Sequence, residues 1–220
     1  MSSSQNADGL ATAAPRGRAA AGQDPAKRDQ ILDGAKSCFL KLGFEAASMN
    51  EITSEAGVSK GTIYVYFQNK EELFASLIDR ERSAMLTVAA HELNDAATIE
   101  DALQRFGVAI TTKLTSDMVI RAQRMVLAVA ERMPDLAARF FGPDPFSGIV
   151  VLQTYLDAKV AAGELRIEDT ELAARQFFEL AMAASFKRRL FGNMRQEMPA
   201  TEISRTVASG VAMFLKFYRA

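Results

Sequence analysis

The 220-residue sequence predicts an all-α protein. Thirteen Gly and six Pro are too few for the many turns of an all-β chain. Residues that favour helices, such as Ala, Leu, Glu, Lys, Arg and Met, dominate over the β-branched and aromatic residues of strands. Apolar residues recur at three- and four-residue steps, and capping residues precede those segments. With 49% apolar and 24% charged residues, the composition is that of a globular chain of one or two domains.

Charge and cysteine content narrow the possible functions. The formal net charge of −1 gives no global positive field, although specific nucleic-acid binding can rest on a local cluster of contacts. Cys38 is the single cysteine, and no Cys/His grouping predicts a zinc site. The sequence shows neither a secretory signal nor the ~20-residue apolar run that spans a bilayer. We therefore expect a soluble cytoplasmic protein without metal, cofactor or membrane association.

The N-terminal residues 1–24 predict a disordered tail, because they contain almost no large apolar side chain. The stretch from Arg16 to Arg28, which spans the end of this tail and the residues just after it, holds a small basic arm with Asp24 as its only acid: Arg16, Arg18, Lys27 and Arg28. This arm is either a solvated leader or a segment that touches the DNA backbone or minor groove.

Four helices are predicted next, each from the residues that begin and end it. Asp24 and Pro25 begin a helix that Gly43 ends, and Asn69 caps a long helix that reaches about His91. Between them lie two short helices, one from Ser48 to Gly57 with the spacing of a capping box, the other from Ser59 to about Phe67. Two short helices joined by a tight Gly-containing turn are typical of a helix-turn-helix.

The rest of the chain also predicts helices. Their expected bounds are Thr98 to Leu114, Ser116 to Met133, Pro134 to Phe141, a helix ending at Ala162, a long helix from Asp169 or Thr170 to Gly192, and a last one from Thr201 nearly to Ala220.

The second short helix has features of a DNA-reading helix. At ~100° per residue, Ile63 and Phe67 share the side that faces a core, and Gly61 lies opposite. Gly61 costs up to ~1 kcal/mol relative to Ala and nothing local requires it, but its missing Cβ allows close approach to a ligand surface. The alternative is a solvated surface helix.

Side chains around Gly61 match the chemistry of a DNA groove. Tyr64 and Tyr66 fall on the two flanks, where each hydroxyl can meet a phosphate. Thr62 and Val65 can meet base edges. Lys70 lies in the first turn of the next helix, where amides and an ammonium can hold a phosphate.

Residues 49–73, MNEITSEAGVSKGTIYVYFQNKEEL, closely resemble the TetR family of bacterial transcription regulators. Residues 132–140 resemble the AefR- and AcrR-type C-terminal domain of that family. The resemblance implies a homodimer that binds a palindromic operator in double-stranded DNA, and a helical C-terminal domain that binds a small effector. It implies DNA contacts from Ser48, Ser59, Lys60, Gly61, Thr62, Tyr64, Tyr66 and Lys70. The expected domains are the tail 1–24, a DNA-binding domain 25–72, and an effector-binding and dimerisation domain 73–220.

Bulky, flexible side chains in the middle of the chain suggest where the effector binds. Methionine adapts to irregular space and to varied ligands, and in a domain of this family such residues predict an apolar pocket between helices. An ordinary core is the alternative for each of them, and a surface role is the alternative for the arginine. The predicted pocket residues are Met118, Arg121, Met125, Phe140, Phe141, Phe146, Phe178 and Met182.

The last two helices carry apolar stripes that include small residues, which allow helices to approach closely. We predict that they form the dimer interface, with burial inside one subunit as the alternative. The predicted interface residues are Phe177, Leu180, Ala181, Ala184, Val207, Val211 and Phe214.

Together these features predict a repressor that a small hydrophobic effector releases from DNA. An activator, or a regulator controlled by a protein partner without an effector, is the alternative. Catalysis is not expected: His91 is the only histidine, no nucleophile accompanies it, and no Gly-rich phosphate loop follows a strand.

Overall fold

The structure, a computed structural model, describes residues 22–141 and 147–220, except for the side chains of Leu136, Arg139, Phe140 and Phe141. The described residues form eleven helices and no strand, which confirms the all-α prediction. The helices are α1 (Pro25–Leu42), α2 (Met49–Ala56), α3 (Lys60–Tyr66), α4 (Lys70–Asn94), α5 (Ile99–Leu114), α6 (Asp117–Val129), α7 (Pro134–Phe141), α8 (Gly148–Ala161), α9 (Thr170–Met182), α10 (Ser185–Leu190) and α11 (Ala200–Tyr218). The predicted tail, as far as residue 21, lies outside the described residues.

Side-chain caps begin most of these helices where the sequence predicts them. Asp24, Ser48, Ser59, Asn69, Thr98, Ser116 and Asp169 each accept a hydrogen bond from a backbone N–H of the helix that follows. Such caps satisfy N–H groups that the first helical turn leaves without a partner. The last helix differs slightly from the prediction: it begins at Ala200, after Pro199, instead of at Thr201, and it has no side-chain cap.

The single long helix predicted up to Gly192 is wrong, because the structure breaks it in two. Ala183 and Ala184 take left-handed conformations, with φ of 40° and 66°, which cost ~1–2 kcal/mol per residue for side chains with a Cβ. The break redirects α10 so that Arg189 is buried, donates to the Thr115 carbonyl at 3.0 Å and pairs with Asp117. The local sequence does not reveal these contacts, because Thr115 and Asp117 lie more than 70 residues before Arg189 in the chain.

Two apolar cores organise the described residues. The first joins α1, α2, α3 and the start of α4, and it also receives Val126 and Val129 from α6. The second is built from the later part of α4 together with α5, α8, α9 and α11. Helix α4 therefore passes through both cores, and α6 packs into the N-terminal one.

The stripes predicted to join two subunits are buried inside one subunit. Phe177, Val207 and Phe214 are at most 2% exposed, and Ala181 and Val211 are buried in the same cluster. A Cβ on Gly210 would lie 3.2 Å from the Leu180 backbone, so α9 and α11 cross closely at that point. The predicted interface is wrong for these five buried residues, because helical periodicity marks an apolar face without saying which element covers it. Leu180 is half-buried against the same cluster, and Ala184 is exposed at the helix break.

Candidate DNA-reading surface and effector cavity

Local hydrogen bonds fix the helix-turn-helix. Ser48 and Glu51 form a reciprocal capping box, in which the Ser48 N–H donates to Glu51 Oε2 at 2.8 Å and the Glu51 N–H donates to Ser48 Oγ at 3.3 Å. Gly57 ends α2 with a φ of 62°, a left-handed conformation that favours glycine. Ser59 then caps α3: its Oγ accepts from the Thr62 N–H at 3.0 Å and lies 2.7 Å from Thr62 Oγ1.

Contacts with α1 hold the motif in place. Gln30 Nε2 donates to the Ala56 carbonyl at 2.8 Å, at the end of α2. The Glu55 carboxylate accepts from Lys41 at 2.7 Å and from Ser37 at 2.6 Å, and the hydrogen bond from Lys41 is the main cause that lowers the pKa of Glu55. Ile63, buried completely, anchors α3 against the same core. The outward face of α3 is therefore presented by a rigid support.

That outward face contains several of the predicted DNA contacts. Tyr64 is 44% exposed and Val65 53% exposed, and Lys60 and Gly61 are exposed beside them. A Cβ on Gly61 would meet no atom closer than Ser59 Oγ at 3.8 Å. Among the residues that the structure describes, nothing therefore requires a glycine at this position.

The two tyrosines of α3 are not equivalent, although the helical wheel places them at similar angles from the core. Tyr66 is half-buried and packs on the N-terminal core, whereas Tyr64 projects further into solvent. Tyr64 is therefore the better placed of the two to reach a phosphate.

Lys70 lies at the start of α4 and makes contacts inside the subunit. Its ammonium donates to the carbonyls of Phe44 and Glu45 at 2.8 and 3.2 Å, and it lies 4.6 Å from the centre of the Phe44 ring. These bonds tie the start of α4 to the loop between α1 and α2. Lys70 therefore positions this loop, and because its ammonium has three N–H groups, the phosphate contact expected of it stays a prediction.

The chain reaches α1 by passing the DNA-reading face. A Cβ on Gly22, whose φ is 89°, would lie 3.2 Å from Val65 Cγ1, so the two backbones are close. Of the predicted basic arm, Lys27 donates to Gln30 Oε1 and the Arg28 guanidinium lies 5.2 Å from the centre of the Phe67 ring. Arg16 and Arg18 lie outside the described residues.

A large apolar cavity adjoins the N-terminal core. Its volume is about 880 Å³, and its wall comes from α1, α4, α5, α6, α8 and α9. Three of the predicted pocket residues line it: Met118, Met125 and Phe178. The side chains of Phe140 and Phe141, and Phe146 as a whole, lie outside the part of the chain that the structure describes.

Two predicted pocket residues are not part of this wall. Met182 is half-buried elsewhere. Arg121 lines a separate polar cavity of about 490 Å³, together with Arg124, Arg189 and Arg195. The size and flexibility of a side chain do not distinguish Met182 and Arg121 from the residues that line the cavity.

Sequence reasoning missed the part of the wall that belongs to the N-terminal half. Phe39 on α1 and Phe74 and Leu77 on α4 line the cavity, as do Ile78 and Met85. The first three are also buried in the N-terminal core. No local signal reveals that a cavity begins behind them.

Charged side chains link α1 to α4 at the same wall. Lys36 and Glu81, which both line the cavity, pair at 2.9 Å. Arg80 donates to Asp33 at 2.7 Å and to the Asp29 carbonyl at 3.3 Å. Burial on its own would lower the pKa of Arg80, but the hydrogen bond and charge of Asp33 outweigh it and raise that pKa. Arg80 therefore stays cationic and joins the two helices.

Helix α6 connects the cavity with the N-terminal core. Met118, Ala122 and Met125 line the cavity, while Val126 and Val129 are buried among the phenylalanines of the N-terminal core. A further link lies beyond the end of α6, where Arg132 pairs with Glu45 at 2.6 Å. A displacement of α6 would therefore reach the loop that precedes α2.

The described residues contain neither a candidate membrane span nor a candidate metal site. None of their helices is long and apolar enough to span a membrane. In the same part of the chain, no three His, Cys, Asp or Glu residues cluster in a way that could hold a metal ion. Cys38 is buried, and this burial is the main cause that raises the pKa of its thiol.

Comparisons with known proteins agree with this architecture. Residues 31–77 match the model of "Bacterial regulatory proteins, tetR family", and residues 101–220 match that of "AefR-like transcriptional repressor, C-terminal domain". The chain is 37% identical over 67 residues to the HTH-type transcriptional repressor Rv1474c of Mycobacterium tuberculosis, a match that covers 30% of this chain and 36% of that protein. The chain therefore spans only about a third of the length of the first curated relatives it matches.

Solved structures cover much more of the chain. The flavonoid-responsive regulator FrrA has a TM-score of 0.70 at 30% identity, over 89% of this chain and 98% of that one. A TetR-family regulator from Mesorhizobium loti has a TM-score of 0.80 at 23% identity, over the same shares of the two chains, and shows the common fold. Since one family model matches more than half of the residues and FrrA is similar almost throughout, the chain belongs to the TetR family of helix-turn-helix transcriptional regulators.

Proposed function

We propose that the protein is a repressor that binds a twofold-symmetric operator as a homodimer and leaves it when a small apolar effector fills the cavity. The observation that carries this proposal is the composition of the cavity wall, to which α1, α4 and α6 all contribute. An effector in this cavity touches the supports of the DNA-reading helix directly. We place the protein in the bacterial cytoplasm, where operator DNA is found, and expect it to perform no catalysis.

We assign different roles to the two domains, which correspond approximately to the two cores. Residues 25–72 bind DNA, and residues 73–220 bind the effector and dimerise, with α4 crossing the boundary and α1 contributing to the cavity. The proposed DNA contacts are Ser48, Ser59, Lys60, Gly61, Thr62, Tyr64, Tyr66 and Lys70. Residues 25–80 have a formal net charge of −1, so affinity depends on these placed contacts and on helix N-termini rather than on bulk positive charge.

The dimer surface proposed here is the outer side of the α9–α11 pair. Leu172 on α9 and Met213 and Phe217 on α11 are 49%, 52% and 80% exposed. The Tyr218 hydroxyl donates to Gln176 Oε1 at 2.9 Å, which places the C-terminal end of α11 beside α9. Large apolar side chains on neighbouring exposed helices are typical of a subunit contact, and a family that reads two half-sites needs one.

The name of FrrA states that it responds to flavonoids, which supports an apolar small molecule as effector for this chain as well. Thermodynamically, the effector must bind more tightly to the conformation that cannot bind DNA, and it weakens operator binding only by that preference. A tenfold loss of operator affinity needs ~1.4 kcal/mol of coupling.

The proposal predicts the symmetry of the DNA site. Selection of random duplexes on the purified full chain is expected to enrich two inverted half-sites whose centres are one helical turn apart, ~34–36 Å, or adjusted to a bent or overwound site. A complex of two subunits per duplex is expected from light scattering. Enrichment of an asymmetric site bound by one subunit would contradict the proposal.

A further inference from the structure

The polar cavity of about 490 Å³ collects positive charge in a chain whose net charge is −1. Four arginines line it, two on α6, one on α10 and one in the loop that follows α10: Arg121, Arg124, Arg189 and Arg195. Among the described residues of its wall, Asp117 is the one acid, and it pairs with Arg189. Glu197 lies nearby, where it accepts from the Asp117 N–H at 2.7 Å. Even with both carboxylates counted, the four arginines leave an excess of two positive charges, which favours an anion in this arginine cavity.

Two of the arginines are fixed by hydrogen bonds to backbone carbonyls. Arg189 is 2% exposed and donates to the carbonyls of Thr115 and Met194 at 3.0 and 3.3 Å. Arg124 donates to the carbonyls of Arg189 and Leu190 at 2.7 and 2.9 Å, at the C-terminal end of α10. Because a guanidinium has five N–H groups, the exposed Arg124 keeps donors that these two bonds do not use. The buried Arg189 and the tethered Arg124 therefore give the cavity a rigid cationic base.

The other two arginines have their charges available to a ligand. Arg121 and Arg195 are exposed, and neither side chain makes an ion pair, hydrogen bond or ring contact with the part of the chain that the structure describes. A turn returns the chain to the cavity after α10: Gly192 takes a φ of 79°, and the Met194 N–H donates to the Arg188 carbonyl at 3.0 Å. This turn places Arg195 at the same cavity as the arginines of α6.

A phosphate group suits this set of donors. Guanidinium groups bind phosphate oxygens with paired, parallel N–H···O bonds. The dianion of a phosphate monoester carries about −1.5 to −2 charges at pH 7, which matches the excess of positive charge at the cavity. A carboxylate carries a single charge and would leave part of that excess uncompensated.

The arginine cavity also has room and apolar surface for an organic group. Its volume falls in the ~300–1,000 Å³ range of small-molecule sites. Ile120, Phe191 and Met194 contribute to its wall. The Phe191 side chain is 74% exposed, so its ring is available for another ring to pack on. The ligand therefore combines a phosphate with an aromatic body.

We propose that the arginine cavity is a second ligand site, which binds the phosphate monoester of an aromatic compound. Arg121, Arg124 and Arg195 hold the phosphate, and the ring of the ligand packs on Phe191. The wall comes from α6, α10 and the loop after α10, none of which belongs to the helix-turn-helix, so a small phosphate ester fits it better than the DNA backbone does. The site goes beyond the proposed function, because it is distinct from the apolar cavity, which a different face of α6 lines.

Isothermal titration calorimetry of the full chain with phenyl phosphate, phenyl sulfate and inorganic phosphate tests the proposal. The titrations are made at about pH 8, above the second pKa of a phosphate group of ~6. Phenyl phosphate is expected to bind at least tenfold more tightly than phenyl sulfate, which has the same ring but one charge fewer. It is also expected to bind at least tenfold more tightly than inorganic phosphate, which lacks the ring.

Variants assign the binding to the arginine cavity. Arg121→Gln and Arg195→Gln are each expected to weaken phenyl phosphate binding about tenfold, as for the loss of one charge-assisted contact, and to keep the wild-type melting temperature. Arg188→Gln removes a charge from α10 beside Arg189 but outside the cavity wall. Lys113→Met removes a cation from the wall of the apolar cavity. Both controls are expected to bind phenyl phosphate like the wild type.

No binding of phenyl phosphate, equal affinity for phenyl sulfate, or losses as large in Arg188→Gln or Lys113→Met as in Arg121→Gln would overturn the inference. Inorganic phosphate that binds as tightly as phenyl phosphate would overturn the choice of an organic ester. Arg121→Gln is expected to bind the operator like the wild type in a phosphate-free buffer, and a loss there would assign the cavity to the DNA backbone instead. Phenyl phosphate binding is measured without operator, so a failure of the repressor mechanism leaves this site standing.

Discussion

Phe217→Asp is expected to convert the dimer to monomers and to abolish tight operator binding. The Phe217 ring is 80% exposed in the single subunit and contacts the Tyr218 ring with centres 4.8 Å apart. In the proposed dimer it is covered by the partner, so a carboxylate there becomes an unpaired charge in an apolar contact, which costs several kcal/mol. A loss of about 3 kcal/mol would raise the dimer dissociation constant by roughly two orders of magnitude.

Analytical ultracentrifugation across a concentration series measures this shift. Phe191→Asp is the matched control, because Phe191 is also largely exposed, at 74%, but follows α10 away from the α9–α11 face. The control is expected to remain dimeric, and both variants are expected to keep their helical content. A folded Phe217→Asp variant that dimerises like the wild type would show that this face is not the interface.

A charge at Phe214 is expected to act differently from one at Phe217, because Phe214 faces the subunit core. The sequence pattern does not distinguish these two positions of α11. Phe214 is buried in the subunit core and packs edge-on against Phe177, with ring centres 5.4 Å apart. A charged residue there is expected to unfold the subunit instead of separating two folded ones. The apolar stripe of α11 is visible in the sequence, but the identity of the helix that covers it depends on contacts between distant parts of the chain.

Gly61→Ala is expected to weaken operator binding at least tenfold while leaving the fold as stable as before or more stable. A Cβ at this exposed position meets no atom closer than 3.8 Å, and alanine is up to ~1 kcal/mol better than glycine inside a helix. If α3 enters the major groove with its Gly61 face, the same Cβ occupies space that the DNA needs. Stability and function are therefore expected to change in opposite directions.

Gly61→Leu extends this experiment, because operator affinity is expected to fall further as the side chain grows. Ala84→Leu on the exposed face of α4 is the control for adding bulk to a helix surface, and it is expected to bind DNA like the wild type. The measurements are fluorescence anisotropy with the selected operator at fixed salt and thermal unfolding of each variant. A Gly61→Leu protein that binds the operator with wild-type affinity would exclude this face from the DNA contact.

Much of the N-terminal half is predictable because its signals are local. The caps at Asp24, Ser48, Ser59 and Asn69 each bond to a backbone N–H within three residues, so their spacing alone marks the helix starts. The exposure of Tyr64 and the lack of any internal need for Gly61 also follow from helical geometry. Lys70 escapes such reasoning, since its carbonyl partners lie 25 and 26 residues earlier in the chain.

The cavity was only partly predictable for the same reason. Met118, Met125 and Phe178 stand out by residue type, whereas the contributions of Phe39 and Phe74 depend on how α1 and α4 pack against α6. Gln123, which also lines the cavity, gives no signal in the sequence, because a glutamine within an amphipathic helix is ordinarily a surface residue. Its burial is visible only once the helices are assembled.

Reciprocal linkage between the cavity and the operator is the sharpest test of release by an effector. The chain contains no tryptophan, so Met118→Trp supplies a single tryptophan at the cavity wall, whose fluorescence, excited at wavelengths where tyrosine does not absorb, reports occupancy by an apolar ligand. The affinity of that ligand is measured with and without saturating operator, and the operator affinity is measured with and without saturating ligand. Both affinities are expected to fall by the same factor, as linkage requires. Ligands that fill the cavity and leave operator affinity unchanged would contradict it.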